Sequence, residues 1–193
     1  MREKIQMKTN TENEAFRALA FVAHHARLAR KDDYHWKWVL IGLHNALQSL
    51  MVLALEHGSG LRVLKNQIAE NWLAAYRSGG PYPEEKLDPY LNLFRKIQGN
   101  DMRFYVHSQS LAATESQKSS VKKLNSLRNR FVHFLPGIHV LDVVGLPGIC
   151  LSCLTVGDFL AWKLGNIFWH TIPPSKVKRV FQAAKTSLES LKP

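Results

Sequence analysis

The apolar stretch at residues 39–55, which contains no charged residue, restricts the fold more than any other feature of the sequence. Its apolar side chains recur at steps of three and four, the spacing of an α-helix. Asp32 or Asp33 can cap this helix, and His57-Gly58 stops the pattern. Because it has few polar positions, we predict a helix over 33–57 that runs through the middle of a bundle.

Helical spacing covers most of the remaining chain as well. We predict further helices over 12–30, over 61–77 up to Gly79-Gly80-Pro81, from Asp88-Pro89 to Gly99-Asn100, and from Ser119 or Ser120 to Pro136. After Pro136 the residues are rich in Val, Ile and Leu, and these predict a short hairpin or an extended segment near 138–151. Two C-terminal helices are expected to follow, over 156–169 and from Ser175 onward.

These elements predict an all-α fold, an antiparallel helical bundle. The 193 residues suit a single domain over 1–193. Within it, we expect residues 12–135 to form the bundle and 136–193 to form a C-terminal extension packed on it.

Charge indicates the kind of partner. The chain has 26 Lys and Arg against 15 Asp and Glu, a formal net charge of +11, which favours nucleic acid or another anionic surface. The first thirty residues contain no uncharged run long enough for a signal peptide, and polar residues interrupt the stretch at 39–55. We therefore expect a cytoplasmic protein that does not enter a membrane.

The predicted fifth helix is the most informative part of the sequence. Residues 116–141 contain no Asp or Glu, and their basic residues are Lys118, Lys122, Lys123, Arg128 and Arg130. Such a run is either a solvated basic face or a surface that contacts phosphate. Arg128 falls about 70° from the centre of the apolar stripe, so it borders the core. A half-buried arginine needs a carboxylate or phosphate partner.

The pattern Arg128-Asn129-x-x-x-His133 resembles the R-x4-6-H signature of the HEPN family, in which a polar residue often follows the Arg. The resemblance covers residues 12–134, and its specific part is confined to 128–134. It implies a metal-independent endoribonuclease, or a non-catalytic relative, that acts as a homodimer in defence, toxin–antitoxin pairs or RNA processing. RNA and an antitoxin or another protein are the implied partners, and no cofactor or metal is expected.

Ribonuclease chemistry gives each residue of the motif a role. Attack of a ribose 2′-OH on the adjacent phosphate needs proton transfer and positive charge on the phosphate oxygens. His133 can transfer the proton and Arg128 can hold two phosphate oxygens, while Asn129 orients His133 or the ribose. On a straight helix Arg128 and His133 diverge by about 140°. A turn of the chain near His133, caused by Pro136, or a two-fold dimer would bring such groups together.

Other residues are candidate substrate contacts. Lys118, Lys122, Lys123 and Arg130 are expected to contact the RNA backbone. His44 and Asn45 either line the groove opposite His133 or are satisfied polar groups inside the bundle.

Two other functions remain open. One is a HEPN-like module that binds RNA or protein without turnover, and the other is a basic helical DNA-binding protein, for which no helix-turn-helix spacing is found.

A metal or redox site has weaker support. Cys150 and Cys153 have the spacing of half a zinc site, which His139 or His170 would have to complete, but two buried apolar cysteines account for them better.

Overall fold

The computed structural model describes residues 6–133, 136–138 and 140–192, and this part of the chain is all-α. Its only β-structure is an isolated bridge between Leu64 and Leu87. The α-helices are α1 Thr11–Leu28, α2 His35–Leu55, α3 Asn66–Ser78, α4 Tyr90–Lys96, α5 Glu115–Val132, α6 Leu146–Trp162 and α7 Pro174–Glu189, with 3₁₀ turns at Leu61–Val63 and Asn100–Met102.

Helix α2 is the centre of the bundle, as predicted. It packs against α1, α4, α5 and α6, while α7 packs against α1 and α6. One continuous cluster of buried apolar side chains joins these six helices, so α6 and α7 share the core of the bundle. By length and composition α2 could also cross a membrane, but most of its residues are buried inside the protein.

The segment near 138–151 differs from the expected hairpin or extended structure. Residues 146–151 are the first turns of α6, which ends at Trp162 and so begins and ends earlier than the helix predicted over 156–169. Because α6 is enclosed by α2, α5 and α7, it is apolar on nearly all sides and shows no helical stripe. A sequence this rich in Val, Ile and Leu is also typical of a buried β-strand, which explains the wrong prediction.

Two helix starts also differ from the prediction. Helix α5 begins at Glu115, where the Thr114 side chain accepts from the Gln117 backbone N–H and the Gln117 side chain accepts from the Thr114 N–H. This capping box satisfies the Thr114 and Gln117 N–H groups and starts the helix four to five residues before Ser119 and Ser120, which therefore lie inside it. The helix predicted over 61–77 is divided, because the backbone becomes extended at Leu64 before α3 begins.

A buried ion pair fixes the segment before α3 to α4. Lys96 Nζ lies 2.8 Å from Asp88 Oδ2, and the two side chains are 7% and 4% exposed. The ammonium also donates to the carbonyl oxygens of Leu64 and Arg62, at 2.6 and 3.1 Å. All three ammonium donors are thus used, which explains why this lysine can be buried. Asp88, at the start of the helix predicted from Asp88-Pro89, does not cap α4, because its carboxylate accepts from Lys96 and Asn92 instead.

Asn166, which is fully buried, connects three segments. Its Nδ2 donates to the carbonyl oxygens of Ala54 and Met102, at 3.1 and 3.0 Å, and its Oδ1 accepts from the Ser108 hydroxyl. The end of α2, the second 3₁₀ turn and the loop after α6 are therefore held at one point.

Glu12 in the first turn of α1 connects α1 to the loop before α7. Its carboxylate accepts from the backbone N–H groups of His170, Thr171 and Ile172, at 2.8 to 3.2 Å. The side chain is 8% exposed, so these charge-assisted hydrogen bonds replace its hydration.

Candidate functional site

The site is built where α2, α4 and α5 meet. Helix α5 supplies Asn125 and Arg128, which are three residues apart and so lie on one side of the helix. Helix α2 supplies His44, and α4 supplies its first residue, Tyr90. Apolar residues one turn away, such as Leu40 and Leu47 for His44 and Leu124 for Arg128, bury these faces in the core and carry the polar side chains inward with them.

His44 lies in the interior of the bundle and is 2% exposed. Its Nε2 is 3.1 Å from Asn125 Oδ1, so the ring donates to this amide oxygen. The ring stacks on Tyr90, with centroids 3.9 Å apart and an angle of 20° between the planes. Both the tautomer and the orientation of His44 are therefore determined by its neighbours.

The pKa of His44 is lowered from 6.5 to about 4, chiefly by burial and also by the positive charge of Arg128. The hydrogen bond to Asn125 acts in the opposite direction, as does the neighbouring Asn45 amide, and the two together do not compensate. At neutral pH the ring is therefore uncharged. Since Nε2 carries the hydrogen that reaches Asn125, Nδ1 is the hydrogen-bond acceptor.

Three buried polar atoms of this region have no hydrogen-bond partner among the described residues. They are His44 Nδ1, the Tyr90 hydroxyl and Arg128 Nε. Buried polar atoms are nearly always paired in folded proteins, because an unpaired one costs about 1–3 kcal/mol. All three lie at one junction of three helices, where a further polar group could pair with them.

Arg128 borders the core, as the helix geometry predicted. It is half-buried, and its terminal nitrogen donates to Asn129 Oδ1 at 3.0 Å. In the described part of the chain no ion pair involves Arg128. A partly desolvated guanidinium without a carboxylate is suited to bind an anion.

His133 lies at the other end of the motif and is exposed. It is the C-cap of α5, with φ −124° and ψ 47°, and its backbone N–H donates to the Asn129 carbonyl at 2.9 Å. The chain thus leaves the helical conformation at His133, where the sequence predicted a turn before Pro136. Among the described residues no hydrogen bond joins the side chains of Arg128 and His133.

The other basic residues of α5 divide between two sides. On the helix, Lys118 and Lys122 lie about 80° and 120° from Arg128, in the direction of Asn125 and Asn129. Lys123 and Arg130 lie about 140–160° from Arg128 in the opposite direction. Lys118 is already paired with Glu115 at 2.7 Å, while Lys122 is exposed and carries no such partner in the described structure.

Arg130 instead borders a separate cavity of about 410 Å³. Leu127, Phe131, Leu141 and Val143 supply its apolar wall. Arg130 therefore faces different surroundings from Arg128, although the two are close in sequence.

Of the two alternatives for His44 and Asn45, a position inside the bundle is wrong for Asn45, which is exposed, while His44 is buried. Adjacent residues on a helix point about 100° apart, so the buried face of α2 can hold only one of them. Sequence reasoning also missed Asn125 and Tyr90. The three-residue spacing from Arg128 is a signal for Asn125, whereas the sequence contains no sign of the contact between α2 and α4.

Cys150 and Cys153 are fully buried in α6 as free thiols. This agrees with the interpretation that they are buried apolar cysteines. Burial raises the pKa of Cys150 to about 12 and that of Cys153 well above its ordinary value. Neither is a reactive thiolate at neutral pH. The part of the chain that the structure describes holds no group of three or more His, Cys, Asp or Glu arranged to bind a metal, and His139 lies outside the described residues.

Compared with known proteins, the chain matches no family model, no curated protein and no solved structure.

Proposed function

We propose that this protein is a HEPN-like, metal-independent endoribonuclease that cleaves RNA by attack of a 2′-OH on the adjacent phosphate. The observation that carries the proposal is the half-buried guanidinium of Arg128, which has a buried, unpartnered Nε and no ion pair within the described structure. A phosphate supplies the anion that this guanidinium lacks.

The neighbours of Arg128 support an anion-binding role. His44 is uncharged at neutral pH, so it does not compete with the guanidinium for the phosphate, and its hydrogen bond to Asn125 holds the adjacent turn of α5 in place. Exposed Lys122, less than two turns before Arg128 on α5, adds positive charge near the path of the RNA backbone.

In this mechanism Arg128 binds two oxygens of the scissile phosphate and stabilises the charge that develops on them. His133, exposed at the end of α5, takes the proton from the 2′-OH or gives one to the departing 5′ oxygen. Asn129 holds the guanidinium through its amide oxygen, at 3.0 Å. One chain supplies one exposed histidine at the motif, so a homodimer provides the second proton-transfer group.

In this proposal the protein acts on RNA in the cytoplasm. Its role is in defence, in a toxin–antitoxin pair or in RNA processing, and an antitoxin or another protein regulates it.

A second candidate is a HEPN-like module that binds RNA or protein without turnover. The exposed position of His133, which shares no hydrogen bond with Arg128 among the described residues, favours this alternative. The two candidates share the anion site and differ only in proton transfer.

Cleavage of RNA in the presence of EDTA tests the proposal. Wild type should yield 2′,3′-cyclic phosphate ends, and Arg128→Ala and His133→Ala should each lower the rate by about 10²-fold or more. Arg179→Ala and His170→Ala remove an exposed Arg and an exposed His elsewhere, and serve as matched controls.

The products and variants separate the two candidates. Folded wild type that binds RNA in an Arg128-dependent manner without cleaving it would favour the binding module. Cleavage that Arg128→Ala and His133→Ala leave intact would refute both roles.

A further inference from the structure

Helix α3 stands apart from the body of the protein. Among the described residues it contributes nothing to the common core, and its main packing partner is the 3₁₀ turn Leu61–Val63 that precedes it. Ala75 is its one residue classed as buried. An isolated helix of 13 residues is marginally stable in water, since most helical stability comes from packing an apolar face.

The outer side of α3 is apolar and aromatic. Leu73 is 39% exposed and Tyr76 is 66% exposed, and both lie within one strip along the helix. Trp72 stacks against Tyr76 and also against Tyr82, with centroid distances of 5.9 and 4.7 Å. These aromatic contacts hold the strip in one orientation although nothing in the described structure covers it.

Two opposite charges border this strip on the same flank. Glu70 and Arg77 are seven residues apart, or nearly two turns, so their directions differ by only about 20°. Both are exposed, and neither forms an ion pair with another described residue. Leu73 lies beside them toward the centre of the strip.

This arrangement is self-complementary under a two-fold axis. If two α3 helices lie antiparallel with the axis between Leu73 and Ala74, Glu70 of each chain faces Arg77 of the other. The two Leu73 side chains then meet at the axis. The Glu70–Arg77 pair therefore forms twice, once on each side of the axis, and no like charges face each other.

Charge also favours a second copy over RNA as the occupant. Helix α3 contains one acidic and one basic residue and is neutral, in a chain of net charge +11. Two such chains repel each other least where their surfaces are neutral. Because Glu70 lies beside Arg77, the only cation of α3, this strip attracts phosphate less than the basic surface of α5 does.

We propose that the Leu73–Tyr76 strip of α3 is a homodimer surface in which α3 pairs antiparallel with α3 of a second copy. This surface differs from the Arg128 site, and the proposal holds whether or not the protein cleaves RNA.

Light scattering and sedimentation equilibrium of the whole chain test the surface. Wild type should be dimeric, and Leu73→Asp should weaken association by at least 10²-fold, because it places two carboxylates at the two-fold axis. Leu91→Asp is the matched control, since Leu91 is a 38% exposed leucine on α4, and it should dimerise like wild type. Circular dichroism confirms that both variants keep the fold.

Charge reversal tests the antiparallel pairing. Glu70→Arg and Arg77→Glu should each weaken self-association, about tenfold at low salt, because like charges then face each other twice. An equimolar mixture of the two variants should form a heterodimer with near wild-type affinity, measured by fluorescence energy transfer between labelled chains.

Three results would overturn the proposal. They are a wild-type monomer, a dimer that Leu73→Asp and Leu91→Asp form equally well, and a mixture that associates no better than either charge variant alone. RNA cleavage is read separately. A protein that cleaves RNA and still dimerises when it carries Leu73→Asp would reject this surface and leave the ribonuclease proposal, with its homodimer, in place.

Discussion

Lowering the pH should destabilise this protein through His44 before most carboxylates are protonated. In the unfolded chain a histidine takes up a proton near pH 6.5, whereas buried His44 does so only near pH 4. Between these values the unfolded state binds more protons, so the free energy of unfolding falls as the pH falls. The stabilisation is complete above pH 6.5 and has been lost when pH 4 is reached.

The size of the effect follows from the two pKa values. At about 1.4 kcal/mol for each pH unit between them, His44 removes about 3 kcal/mol of stability over the whole range, and about 2 kcal/mol between pH 7 and pH 5. That is a large part of the 5–15 kcal/mol that stabilises an ordinary domain.

Urea unfolding of wild type and His44→Gln at pH 7, 6 and 5 measures the effect. The Gln amide can still donate to Asn125 Oδ1 but does not titrate, so the wild type should lose about 2 kcal/mol more than the variant between pH 7 and 5. The pKa values of His25 and His57 are also lowered by burial, but their effect is common to both proteins and cancels. Equal pH dependence of wild type and His44→Gln would refute the argument, and His170→Gln is the control for loss of an exposed histidine.

Two further predictions concern buried polar groups. Asp88→Ala leaves the Lys96 ammonium buried without its carboxylate and should cost about 3–5 kcal/mol in urea unfolding, whereas Glu84→Ala, which breaks an exposed pair, should cost less than 1 kcal/mol. Equal losses would show that Lys96 is rehydrated in the variant. Asn166→Ala frees two carbonyl groups and a hydroxyl and should cost about 2–4 kcal/mol, against less than 1 kcal/mol for exposed Asn71→Ala; a smaller loss at Asn166 would mean that water replaces the amide.

Much of the fold could be predicted because local sequence determines it. The stripes of α1, α2 and α7 repeat at helical spacing, and Gly79 ends α3 with φ +68°, a conformation that suits glycine. Residues 146–155 of helix α6 were not predicted as helix, because α6 is buried on nearly every side and its apolar sequence does not distinguish a helix from a strand. The spacing of Thr114 and Gln117 is a signal for the start of α5, but Ser119 and Ser120 are equally suitable N-cap residues.

Only part of the candidate site could be predicted, because some of its contacts lie within one helix and others join separate helices. Arg128 could be placed at the edge of the core because its position relative to Leu124 and Leu127 is set by one helix. The stacking of His44 on Tyr90 depends on how α4 crosses α2, which is a long-range contact with no periodic signal. Helix geometry also explains why Asn45 is exposed while His44 is buried, but which of the two faces inward is decided by the packing of α2.

The pairing of α1 with α7 has a consequence for synthesis of the protein. About 145 residues separate the end of α1 from the start of α7. The Glu12 carboxylate likewise has no hydrogen-bond donors until residues 170–172 have been synthesised. At roughly 5–20 residues per second, the ribosome takes about 7–30 s to add them. Throughout that interval one apolar side of α1 has no native partner, so chains stalled before α7 should be the form that chaperones bind and that proteases remove.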